Sequence, residues 1–198
     1  MNKIIFATGN AGKLREIKEI LKDLPYEVVS MKEANIDVKI DENGKTFEEN
    51  ALIKARSIAK YTSAIVMADD SGLEVDYLNK EPGIYSARYL GEDTPYEVKN
   101  MSIIKRLEGV SDDKRTARFV AAIACVFPDG REFTTRGTIE GIIGHNPQGS
   151  NGFGYDPIVY VPELGKTTAE LSMEEKNAIS HRGKALMAMS LRYGNNVR

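Results

Sequence analysis

The chain is poor in several things, and each shortage narrows what it can be. A single cysteine, Cys125, in 198 residues excludes an intrachain disulfide and any cysteine-rich zinc cluster. It lies in the apolar run Phe119–Val126, where a small buried thiol is the expected state, not a nucleophile. There are only two histidines, and no HExxH, CxxC or GxSxG spacing, so zinc-hydrolase and serine-hydrolase readings have no support. No run approaches the ~18 consecutive apolar residues of a membrane span. The apolar opening Ile4–Ala7 is too short for a signal-peptide core, so a cytoplasmic protein with no membrane partner is expected. The basic surplus of nucleic-acid binders is also missing, since the net charge is −2, leaving room only for a local basic pocket.

What is present is ordinary for a globular protein, with 41% apolar and 28% charged residues. The length suits one domain with a good core, or one domain split into two lobes. No repeat, low-complexity tract or linker interrupts residues 1–198, so a single domain is expected.

Residues 3–8 are apolar and partly β-branched, as in a buried strand. A glycine-containing turn at 9–12 follows, and then a helix from about Lys13 to Lys22. Leu14, Ile17, Leu21 and Leu24 keep helical spacing there, and Pro25 stops it. A short strand at Glu27–Ser30 completes a β-α-β opening. The acidic stretch Asp37–Lys45 reads as a loop, after which Thr46 and Glu49 form a capping-box pattern. The helix they start has an apolar face of Ala51, Leu52, Ala55, Ile58 and Ala59. A buried strand is expected at Ala64–Ala68, with Asp69-Asp70-Ser71-Gly72 at its end. Pro95 opens a third helix to about Leu107, with Met101, Ile104 and Leu107 on one side. Thr116–Phe127 and Glu132–Glu140 flank the hairpin signature Pro128-Asp129-Gly130-Arg131. A glycine-rich loop at Gly144–Tyr155 leads to a short strand near Ile158–Val161, and Ser180 caps a last helix through Arg192. This is the pattern of an α/β protein with a mixed sheet flanked by helices.

The segment Thr8-Gly9-Asn10-Ala11-Gly12-Lys13 joins a strand to a helix N-terminus, where unpaired N–H groups and the helix dipole favour an anion. Thr8 and Asn10 add side-chain donors and Lys13 a full positive charge. An ordinary βα turn with an exposed lysine fits the same residues equally well. The segment is not a Walker loop: its glycines are too close together, and Leu14 stands where magnesium would need Ser or Thr. A triphosphate bound here would therefore need its metal held elsewhere. Two acidic groups meet that demand. One is Asp41-Glu42, before Gly44; the other is Asp69-Asp70. Neighbouring strand residues point to opposite faces, so one of the aspartates faces a cleft and the other braces the turn. Mg²⁺ is usually held by one or two carboxylates plus substrate phosphates. A solvated acidic loop and a turn-forming Asp-Ser-Gly are the plainer alternatives for each group alone.

Two further segments have the chemistry of a ligand site. In Asn151–Pro157, Phe153 stands between Gly152 and Gly154, where a ring could stack on a nucleobase, or simply pack into the core. Ser180-His181-Arg182, with Lys176 before it, puts cationic groups at a helix start. That suits an oxygen-rich ligand or a solvated cap.

Six motifs in this order resemble the inosine triphosphate pyrophosphatases, the family that removes non-standard purine nucleotides. They are Thr8-Gly9-Asn10 with Lys13, Thr46–Ala51, Ala68–Leu73, Pro82–Arg88, Gly152–Pro157 and Ser180–Arg182, and they cover nearly the whole chain. The resemblance implies Mg²⁺-dependent hydrolysis of ITP, dITP and XTP to monophosphate and pyrophosphate by a homodimer. It also implies an elongated mixed sheet with two lobes around a cleft. By motif, Thr8–Lys13 would bind phosphate, Asp70 would be general base and metal ligand, and Ser71 would touch substrate. Phe153, Gly154, Tyr155, Asp156, Lys176, His181 and Arg182 would enclose base and sugar, and Lys54 would add a phosphate contact. The family's glutamate ligand falls on Glu42 or Asp41, a choice left open. Two rivals remain: a Maf-type pyrophosphatase acting on pyrimidine or modified nucleotides, and a non-catalytic nucleotide-binding regulator.

Overall fold

The computed structural model describes residues 2–22 and 25–196, leaving out the side chains of residues 2 and 190–196. Seven strands form one sheet in the order β2-β1-β3-β4-β5-β6-β7. They are β1 Asn2–Ala7, β2 Tyr26–Ser30, β3 Ile65–Val75, β4 Thr116–Val126, β5 Glu132–Ile143, β6 Val159–Val161 and β7 Lys166–Thr167. β1 runs parallel to both β2 and β3, whereas β6 is antiparallel to β5 and β7. The sheet is therefore mixed, as the strand and helix patterns imply. The helices are α1 Ala11–Ile20, α2 Phe47–Ala59, α3 Tyr96–Arg106, α4 Met173–Ile179 and α5 His181–Asn196. No helix among the described residues is long and apolar enough to cross a membrane.

The chain divides into two compact units. The first comprises Met1–Asp70, Ala121–Gly137 and His181–Arg198, and the second Ser71–Val120 and Thr138–Ser180. Each buries its own apolar cluster. In the first unit, Ile4 and Phe6 of β1 meet Ile17 and Leu21, Ile123 and Cys125 of β4, and Leu186 of α5. In the second, Leu73 and Val75 of β3 meet Ile103, Leu107, Phe119, Ile143 and Ile158. Cys125 is a buried free thiol, and burial pushes its pKa up to about 12, so it behaves as a small apolar side chain.

Several elements depart from their expected bounds. The first helix begins at Ala11, and Leu24 lies outside the described residues. β3 runs through Asp69–Gly72 to Val75, so the acidic pair is mid-strand and not at a strand end. Buried Leu73 and Val75 carry the inward alternation past Gly72 and keep the chain extended. In α3 the inward face is Lys99, Asn100 and Ile103, followed by Leu107. Met101 is exposed and Ile104 only partly buried. Two polar residues displaced the apolar ones that helical spacing favoured. α4 and β7 were not expected. Ser172 and Glu175 form a full capping box at the start of α4, the one local signal that announces it.

Candidate active site

The first unit assembles a charged cluster where β1 ends. β1 stops at Ala7, whose partner on β3 is Ala68, while β3 continues into Asp69 and Asp70. The strand that outlasts its neighbour thus brings two carboxylates beside the Thr8–Lys13 turn. The turn is held by its own side chains. The Thr8 hydroxyl oxygen accepts from the Asn10 N–H at 3.2 Å, and Asn10 Oδ1 accepts from the Lys13 N–H at 3.0 Å. Asn10 is the N-cap of α1. The two side chains expected as donors therefore act within the turn as acceptors, and two turn N–H groups are consumed. A helix N-terminus of this kind favours an anion through its remaining N–H groups and the helix dipole. Thr8–Ala11 also line one wall of a cavity of about 730 Å³, with Ser30, Lys32 and Asn35 opposite.

Asp69 and Asp70 take different partners, as strand alternation requires. Lys13 Nζ is 3.0 Å from Asp69 Oδ2, and Arg182 Nη2 is 3.5 Å from the same oxygen. Arg182 also pairs with Glu16 of α1. Desolvation alone would raise the Asp69 pKa, but Lys13, then Arg182 and Lys54, overcome it and hold the carboxyl well below the ordinary range. Asp70 shifts the other way. Desolvation dominates there and raises its pKa, against the pull of Lys54, Lys13 and an Asn50 hydrogen bond. Of two adjacent aspartates, one is thus a locked anion and the other a carboxylate of raised basicity.

Lys54 of α2 joins the second acidic group to the first. Its Nζ lies 3.0 Å from Glu42 Oε2 and 3.5 Å from Asp70 Oδ1. Burial opposes its charge, but Asp70, Asp69 and Glu42 together raise its pKa. Glu42 therefore faces the same cation as Asp70, whereas Asp41 is exposed. Asn50, fully buried, ties the acidic loop to the strand: its Oδ1 accepts from the Gly44 N–H at 2.9 Å and its Nδ2 donates to Asp70 Oδ2 at 3.1 Å. A Cβ on Gly44 would come within 2.7 Å of Asn50 Oδ1, so only glycine fits that approach. At the cap, Thr46 Oγ1 accepts from the Glu49 N–H, while the Glu49 carboxylate accepts from the Lys45 N–H, one residue before the expected one.

Among the described residues no three His, Cys, Asp or Glu side chains gather as a metal-binding group. Two hard carboxylates converging on one cation fit magnesium, which takes its remaining ligands from phosphate and water.

α5 starts in the first unit beside β5. A Cβ on Gly137 would overlap the His181 carbonyl oxygen, so strand and helix touch backbone to backbone. The Thr135 hydroxyl donates to the Ala185 carbonyl at 2.8 Å, fixing the helix that carries His181 and Arg182. Both of these side chains are buried.

The second unit holds the other segment. Lys176 Nζ is 2.6 Å from Asp156 Oδ2 and 4.9 Å from the centre of the half-buried Phe153 ring. Asp156 also accepts from the Phe153 N–H at 2.8 Å and the Thr168 hydroxyl at 2.8 Å. Gly152 has φ +76, and a Cβ there would run into the Asp156 carboxylate. Tyr155 is buried, and its hydroxyl donates to the Ser86 carbonyl at 2.8 Å. Burial holds its pKa well above the usual tyrosine value. Ser71 is half-buried on β3. Lys176 and Arg182, neighbours in sequence, thus carry their charges in different units. Asn50 and Glu16, central to the first cluster, escape sequence reading because each is identified only by partners far along the chain.

The Ham1 family profile matches residues 4–191. The chain belongs to the Ham1 family. It is 50% identical over 192 residues to the dITP/XTP pyrophosphatase of Clostridium perfringens, covering 94% of each chain. It is 52% identical over 190 residues to the dITP/XTP pyrophosphatase of Caldanaerobacter subterraneus, covering 96% of this chain and 94% of that one. The solved Ham1 protein of Staphylococcus aureus superposes with a TM-score of 0.88 at 42% identity, covering 98% of this chain and 100% of that one. A solved nucleoside-triphosphatase, a dITP/XTP pyrophosphatase from Mycobacterium abscessus, has a TM-score of 0.75 at 42% identity, with 94% and 98% covered. The family resemblance carried by the six motifs is borne out, as is the mixed α/β fold.

Proposed function

We propose that this protein hydrolyses dITP, XTP and ITP to the monophosphate and pyrophosphate, removing non-standard purines before they enter DNA or RNA. The observation that carries this is the Asp70–Lys54–Glu42 cluster beside the Lys13–Asp69 pair, in a chain half identical to dITP/XTP pyrophosphatases. The Maf-type and non-catalytic readings are not favoured by these relatives.

In this reading Thr8–Lys13 and Lys54 hold the triphosphate. Asp70, its basicity raised by burial, accepts a proton from the water whose oxygen attacks the phosphorus nearest the sugar. The bond from that phosphorus to the bridging oxygen breaks, and pyrophosphate leaves with the bond's electron pair. Lys13, Lys54 and the turn N–H groups stabilise the charge that grows on it. Mg²⁺, held by Asp70 and Glu42 together with phosphate oxygens, would supply further charge neutralisation when bound. Glu42 suits this role better than Asp41, because it faces the same cation as Asp70. Glu42→Gln is expected to raise the Mg²⁺ concentration for half-maximal rate at least roughly tenfold, while Asp41→Asn stays near wild type. A magnesium titration of the two variants checks this, and the reverse order would move the assignment to Asp41.

Contacts to base and sugar are proposed for Ser71, Phe153–Asp156 and Lys176 of the second unit. His181 and Arg182 are proposed to donate to the 6-keto edge. Adenine's 6-amino group would leave such donors unpaired, a mismatch that can discriminate by ~10⁴-fold. A homodimer is also proposed, supported by the exposed apolar side chains Leu90, Val98 and Met101, as is a cytoplasmic location, where nucleotide pools reside. The direct test is product analysis: dITP with Mg²⁺ should give dIMP and pyrophosphate in equal amounts. Release of orthophosphate and dIDP would overturn the reading.

A further inference from the structure

α3 turns two polar side chains into the core of the second unit. Lys99 is 1% and Asn100 3% exposed, beside the apolar Ile103 and Leu107. A helix needs no such residues to pack, and burying an amide in place of an apolar side chain costs stability. What they hold explains their presence. Asn100 Nδ2 donates to the Gly154 carbonyl at 3.1 Å, and Lys99 Nζ donates to the Ala87 carbonyl at 2.6 Å. Among the described residues Asn100 Oδ1 is buried with no hydrogen-bond partner. Nearby, the Tyr96 ring lies edge-on to Tyr155 at 5.3 Å and would be 3.6 Å from a Cβ on Gly154.

Gly154 follows Phe153, and the glycines on both sides of that ring have positive φ, +76 at Gly152 and +71 at Gly154. Such a backbone has no side-chain friction to fix it and loses more entropy when ordered than any other. Bonds on both sides of the ring supply restraint. Asp156 accepts from the Phe153 N–H on one side, and Asn100 holds the carbonyl of Gly154 on the other.

We infer that Asn100 is a positioning residue for Phe153, setting the enzyme's affinity for the purine without touching it. This rests on the reading that Phe153 stacks on the base.

The test uses the full-length enzyme and two variants. Asn100→Leu removes the donor and keeps an apolar volume, and the loss of one hydrogen bond should raise KM for dITP about five- to tenfold. Turnover should stay within about twofold, the signature of lost uniform binding. Amide exchange measured by mass spectrometry should speed up across residues 150–156, with the melting temperature within a few degrees of wild type. Asn100→Asp places a carboxylate against the Gly154 carbonyl at neutral pH. Its KM relative to wild type should fall as the pH is lowered, because the protonated carboxyl can donate. Unchanged KM and unchanged exchange in Asn100→Leu would overturn the inference. So would a joint fall of turnover and melting temperature with exchange raised throughout the unit, which marks a merely structural role. If wild type fails to hydrolyse dITP, the function reading fails by itself, and the exchange of residues 150–156 still reports whether Asn100 clamps the loop.

Discussion

Asp70→Asn is expected to fold normally and lose roughly 10³-fold in turnover, the typical worth of a positioned general base. Asparagine keeps the size of the side chain and can still meet the Asn50 amide that now donates to Asp70 Oδ2. It cannot accept a proton from water. At saturating Mg²⁺, KM for dITP should change little, because Lys13, Lys54 and the turn still hold the phosphates, so the defect falls on turnover. Circular dichroism and melting establish the fold, and steady-state kinetics with dITP establish the loss. Near wild-type turnover in a folded Asp70→Asn enzyme would remove Asp70 from the base role.

The neighbouring substitution should fail for the opposite reason. Asp69 is the buried anion that balances Lys13 and Arg182, and Asp69→Asn leaves two cations facing each other without it. Breaking a buried pair from one side costs about 3–5 kcal/mol, so this variant should melt well below wild type. Because the Asp69 carboxyl sits well below the ordinary range in the folded protein, its contribution is present above the unfolded value of about 4 and is lost as pH falls below it. The gap between wild type and Asp69→Asn should therefore be widest near neutrality and narrow in acid. Thermal melts at several pH values measure it. A gap that widens in acid would mean Asp69 is not a stabilising anion. Adjacent residues on one strand thus give one defect in chemistry and one in stability.

Much of this was legible in the sequence because it was local. The β1–turn–α1 opening, the cap at Thr46 and the hairpin at 128–131 depend on neighbouring residues, and they stand within two residues of where spacing puts them. The absence of Ser or Thr after Lys13 directed the search for carboxylates elsewhere, and Glu42 and Asp70 lie together against Lys54. What stayed hidden depends on distant partners. Arg182 reaches Glu16 across 166 positions and Asp69 across 113, and no periodicity reports such pairs. Asn50 reads as a helical residue of neutral character until Gly44 and Asp70 close on it. α3 misled for a related reason. Helical spacing predicts an apolar inner face, but Lys99 and Asn100 occupy it, Lys99 bonding the Ala87 carbonyl and Asn100 the Gly154 carbonyl 54 positions on. β3 was cut short at the acidic pair because charge in a strand interior reads as an end, unless its counter-charges are known.

The central claim is selective hydrolysis of non-standard purine triphosphates at the Lys13–Lys54–Asp70 cluster. It is tested most directly by pyrophosphate release from ITP, dITP, XTP, GTP, ATP and dTTP, each with and without Mg²⁺. Expected are kcat/KM values for ITP, dITP and XTP far above those for ATP and dTTP, with release abolished when Mg²⁺ is withheld. A preference for ATP or dTTP, or undiminished release without a divalent ion, would contradict it.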